Sequence, residues 1–128
     1  MLKSFALFLV LPVIVLISPQ SVSAQTLNCA DSSNLNQQEM NACAGQEYER
    51  TDAALNSTWS LVRRQLDPSQ KRPLLDAQRA WINYRDGQCA SEGALYEGGS
   101  IQPLIVLGCK SRMTQARTQE LLLMVQQR

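Results

Sequence analysis

Histidine is absent from all 128 residues. That removes the most common general base, the Ser–His and Cys–His nucleophile pairs, and a principal zinc ligand. The four cysteines include no Cys-x-x-Cys spacing, which argues against both a redox-exchange motif and a zinc knuckle. No metal or other cofactor is therefore expected. A surplus of charge is missing too. Lys and Arg together number 12 against 11 Asp and Glu, and setting Lys3 aside leaves residues 25–128 neutral. Without a basic stripe, nucleic acid is a poor candidate partner. Beyond Ile17 no long apolar run occurs, so no membrane-spanning helix is expected downstream of it. Phenylalanine is confined to residues 5 and 8; the later aromatics are Tyr48, Trp59, Trp81, Tyr84 and Tyr96.

The one apolar run has the form of an export signal. Met1-Leu2-Lys3 supplies a short basic start, Phe5 to Ile17 carries no charge, and Val22-Ser23-Ala24 offers small residues for cleavage. The run is shorter than the roughly 20 residues a spanning helix needs. Residues 1–24 are thus expected to be removed on export, leaving a periplasmic or secreted chain with no membrane insertion of its own. In an oxidising compartment, Cys29, Cys43, Cys89 and Cys109 are expected to form two disulfides. Three connectivities are possible. The local scheme closes short loops, each contributing about 3 kcal/mol by the loop-entropy estimate.

Helical periodicity dominates the remainder, and nothing alternates with period two for long enough to form a strand. Residues 25–35 read as an irregular arm, and 36–128 as a helical domain. Asn36-Gln37-Gln38-Glu39 has the pattern of a capping box. Met40, Ala44, Tyr48, Asp52, Leu55, Trp59, Val62 and Leu66 then recur at steps of three and four, predicting a helix over 36–66. Asp67-Pro68 is a restart signal. A second helix carries Leu74, Gln78, Trp81, Arg85 and Cys89, with Pro73 one turn in and Gly87 near its far end. The tight joint makes the two helices antiparallel. Residues 91–102 read as a glycine-rich loop. Pro103 opens a third helix with Val106, Cys109, Met113, Arg117, Leu121 and Met124 along its inward stripe. The expected fold is all-α: a long antiparallel helical hairpin plus a third helix. Cys43, Cys89 and Cys109 fall at one end of it, near Cys29, so all three pairings are sterically open.

Charged residues interrupt these stripes at matching heights. At about 1.5 Å per residue, Asp52 lies about 13 Å from Cys43, and Arg117 about 12 Å from Cys109. Arg85 reaches the same layer, with Asn56 and Gln78 nearby. Buried charges are rarely left unpaired. A structural polar layer that fixes helix register explains these five residues more simply than a binding cleft does.

Several motifs bear a family resemblance. Leu55-Asn56 with Trp59, the run Ala77-Gln78-Arg79-Ala80-Trp81-Ile82-Asn83-Tyr84-Arg85-Asp86-Gly87-Gln88-Cys89, then Gly99-Ser100-Ile101-Gln102-Pro103-Leu104 and Cys109 with Thr114, Arg117, Glu120 and Leu121 resemble the LprI-like lysozyme-inhibitor family of small exported bacterial domains. The resemblance covers about 28–123. It implies a helical fold and cysteines paired with their chain neighbours, Cys29–Cys43 and Cys89–Cys109. It also implies a protein partner, with lysozyme the first candidate. The family's inhibitory role is attached to a lipoprotein member, and this chain has no lipid-attachment signal. Glu92, Tyr96 and Glu97 in the glycine-rich loop are the candidate contact residues. Neutrality gives no electrostatic attraction to a cationic lysozyme. The alternative is a general envelope interaction module with a different protein partner. Catalysis is not expected. Glu47, Glu49 and Asp52 cluster on one helix, but no opposing carboxylate faces them across an evident cleft, as a glycosidase pair would require.

Overall fold

The computed structural model describes residues 27–126; the expected signal segment lies outside them. Three long helices account for nearly all of this span: α1 (Gln37–Gln65), α2 (Pro68–Ala94) and α3 (Gln102–Gln126). A single 3₁₀ turn, Ser32–Asn34, precedes them. Among the described residues there is no strand.

The start of α1 follows from its sequence. The Asn36 side chain accepts from the Glu39 amide at 3.0 Å, and Glu39 accepts in return from the Asn36 amide at 2.8 Å. Each satisfies a helix-end donor that would otherwise face only water. Leu66 and Asp67 are extended, which ends α1 and turns the chain through a tight joint. Pro68 suits the first position of α2 because its missing amide costs nothing there. Pro73 lies within α2 without ending it.

The helices run up, down and up. Leu66 and Leu74 meet beside the joint, while Arg85 reaches back to Asp52, so α1 and α2 are antiparallel. Asn41 donates to the Ser100 carbonyl at 2.9 Å, Gln115 donates to Glu47 at 2.9 Å, and Leu121 joins Leu55 and Val62. These contacts advance together along both chains, so α1 and α3 are parallel. Backbones approach most closely between α1 and α3, then between α2 and α3. Across the α1–α2 seam, contact is made mainly by long side chains.

Small hydroxyl residues allow the close α1–α3 approach. Thr51, Ser111, Thr114 and Thr118 are all buried. Thr51 donates back to the Tyr48 carbonyl and Thr118 to the Thr114 carbonyl, each at 2.9 Å, so two of these hydroxyls are satisfied within their own helix. A second inward face on α3 therefore packs on α1, beside the stripe expected from apolar spacing. Met124, assigned to that stripe, is instead exposed. Beyond the hydroxyl stretch, Leu55, Val62, Leu66, Leu74 and Leu121 form the aliphatic core, with Trp59, Trp81 and Val125 packed on it.

The loop expected at 91–102 is shorter. Helix α2 continues through Ala94 and α3 begins at Gln102. Gly93 is buried inside α2, and a Cβ there would run into Cγ2 of Val106. Its glycine thus serves helix–helix contact rather than a turn. The turn itself uses Gly98, at φ 76°, where other residues would be strained.

Candidate functional site: the polar layer and the disulfide-bearing end

Both disulfides join chain neighbours, Cys29–Cys43 and Cys89–Cys109, each with Cα atoms 5.5 Å apart. The first pins the N-terminal arm to α1. The second clamps the end of α2 to the start of α3, and Met113 places its sulfur 3.7 Å from Cys89 Sγ and 3.9 Å from Cys109 Sγ. Together they hold one end of the bundle.

Next to them, Arg85 is only 6% exposed and touches all three helices. Its guanidinium lies over the Tyr48 ring at 5.6 Å and the Trp81 ring at 5.2 Å. Nε donates to Asp86 at 3.0 Å, Nη1 donates to the Thr114 hydroxyl at 3.4 Å, and Asp52 lies 3.7 Å away. Asn56 donates to Asp52 at 3.0 Å. Arg117 donates to Gln78 at 3.0 Å and to Glu120 at 2.9 Å, with its guanidinium 5.9 Å from the opposite partner of the layer, Trp81. The five residues anticipated for a polar layer therefore form two groups, Asp52–Asn56–Arg85 and Gln78–Arg117, bridged by Trp81. Tyr48, Asp86, Lys110 and Thr114 complete it without having been anticipated. Asp86 adjoins Arg85 in sequence, and Lys110 follows Cys109; each could have been found by asking what neutralises a buried arginine.

Asp86 also receives Lys110 at 3.2 Å. Burial pushes its carboxyl pKa up, but hydrogen bonds from Arg85 and Lys110 outweigh that and hold it below the ordinary value of 3.8. The Arg50 hydrogen bond likewise lowers Glu47, and Gln88 with Arg112 lowers Glu92. These carboxylates stay ionised at neutral pH. Glu47 and Asp52, considered for acid–base work, are occupied by Arg50 with Gln115 and by Asn56 with Arg85 respectively.

The candidate contact residues separate. Glu92 lies within α2, bound to Arg112 at 3.1 Å and to Gln88 at 3.1 Å, and so is not part of a free loop. Tyr96 and Glu97 remain in the turn, joined by Leu95, which is 82% exposed and is the most prominent apolar side chain there. The turn is held at its base by Asn41 on the Ser100 carbonyl and by the Cys89–Cys109 clamp.

Neutrality conceals a polarised charge distribution. The disulfide-bearing half, residues 27–52 and 85–112, carries eight carboxylates and four cations. The joint half, residues 53–84 and 113–126, carries three carboxylates and six cations. The net charges are thus −4 and +3.

Residues 29–121 match the family model described as "Lysozyme inhibitor LprI". The chain belongs to the LprI lysozyme-inhibitor family. An uncharacterized protein of Rhizobium meliloti (strain 1021) is 40% identical over 100 residues, covering 68% of this chain and 72% of the relative. No solved structure matches the chain significantly. Both matched disulfides and the whole polar layer fall within the LprI-matched span.

Proposed function

We propose that this protein is an exported, non-enzymatic binding protein that blocks lysozyme, docking through its disulfide-bearing half. The observation that carries this reading is the charge segregation: a chain with no net attraction for a cationic enzyme nevertheless offers it a half of net charge −4. The 95–101 turn supplies the apolar part of the contact. Leu95 and Tyr96 project at the rim of the acidic half from a base that one disulfide and a hydrogen bond hold still. Pre-ordered loops bind with less entropic loss than mobile ones. Membership of an inhibitor family supports the partner and the absence of turnover.

The test is clearance of a cell-wall suspension by c-type lysozyme, paired with direct calorimetric titration. Inhibition is expected at low salt, weakening as ionic strength rises, and falling at least tenfold for a Leu95→Ala/Tyr96→Ala variant. Unchanged clearance at large molar excess, with no heat of binding, would rule the reading out.

A further inference from the structure

The α1–α2 seam is open because these two helices meet through long side chains. Trp59 stands in it, lining one cleft of about 320 Å³ with Arg63, Arg64 and Lys71 toward the joint, and another of about 350 Å³ with Leu75, Arg79 and Ile82 toward Arg85. From Asp52 to Arg64 the groove runs about 18 Å at helical rise. Each cleft is within the size range of small-ligand sites.

Arg85 and Arg63 are engaged internally, but other cations of the groove are not. Arg63 rests over the Trp59 ring at 5.7 Å. Among the described residues, Arg64, Lys71 and Arg79 make no ion pair or side-chain hydrogen bond, although Arg72 close by is satisfied by Asp76. Ile82 is exposed beside them. An aromatic side chain shared by two adjoining clefts, an apolar wall and unpaired cations match a linear polymer whose units have both an apolar ring face and a negative charge.

We infer that the α1–α2 groove binds a linear anionic polysaccharide, one sugar ring stacking on Trp59 and its acidic groups meeting Arg64, Lys71 and Arg79. Trp59 and these three cations all lie in the joint half, and the site does not rest on the lysozyme reading.

Titration of the full exported chain with tetragalacturonate, followed by Trp fluorescence, tests it. Saturable binding is expected, at least tenfold weaker for Trp59→Ala and for Arg64→Glu/Lys71→Glu, with uncharged chitotetraose binding at least tenfold more weakly than the acidic tetramer. Circular dichroism confirms that each variant is folded, and a conservative Trp59→Phe variant followed by calorimetry retains most of the affinity. Lysozyme inhibition is expected to be unchanged in Arg64→Glu/Lys71→Glu. Absence of saturable binding, or equal affinity of wild type and Trp59→Ala, would overturn the assignment; so would tripolyphosphate competing as well as the saccharide, since that marks a charge patch without ring recognition.

Discussion

The two halves of this bundle are held together by different means. Around the joint, Val62, Leu66, Leu74 and Leu121 pack as an ordinary aliphatic core with Leu55. Toward the other end, the buried side chains are hydroxyls, an arginine and disulfide sulfurs. Hydroxyl and guanidinium groups gain far less from leaving water than leucine does. The cross-links occur where apolar burial is poorest, and they free that end to carry carboxylates and an exposed turn. Stability by sulfur in one half and by packing in the other lets a small three-helix domain keep an acidic surface.

That division can be attacked from either side. Leu121→Ala is expected to cost about 3–4 kcal/mol, since Leu121 is fully buried at the centre of the aliphatic half. Urea denaturation reads the loss, and amide exchange should show the joint half opening first. Replacing Cys89 and Cys109 together by serine is expected to cost about 3 kcal/mol. Its amide exchange should accelerate around 85–112 while the 60–76 region remains protected. If both variants accelerate exchange uniformly, the halves are one cooperative unit and the comparison fails. Gly93→Ala should cost about 1–3 kcal/mol by forcing Val106 out of its place between α2 and α3. A smaller effect concerns acid. Because the Asp86 pKa is lower folded than unfolded, its contribution is complete above about pH 4 and is lost as pH falls through the depressed value. Asp86→Asn should therefore flatten the acid limb of the stability profile and leave it unchanged in shape near neutrality.

Which features could be read from the chain alone follows the same division. The bounds of α1 were legible because Asn36, Glu39 and Asp67 act through local chemistry, and the aliphatic stripe because leucine and valine declare themselves by spacing. The hydroxyl face of α3 was not, because Ser111, Thr114 and Thr118 have no apolar signature; only the packing of neighbouring helices makes them interior. Gly93 looked like loop for a related reason, since what it accommodates is Val106, thirteen positions away. Spacing left the cysteine pairing open, and the family pattern chose the pairs that the fold contains. Asp52, Arg85, Gln78 and Arg117 were legible as charges and amides at one height, but their division into two groups across Trp81 depends on side-chain geometry. The polarity of the molecule was hidden in a sum: equal numbers of opposite charges say nothing about where they lie.

The central claim is that the acidic, disulfide-bearing end is the docking surface. Amide chemical-shift mapping of the isotope-labelled protein during titration with c-type lysozyme tests it most directly. The account predicts perturbations concentrated in the 95–101 turn and neighbouring residues of the disulfide half, fading as salt is added. Perturbations confined to the joint half, or a spectrum unmoved at saturating lysozyme, would contradict it.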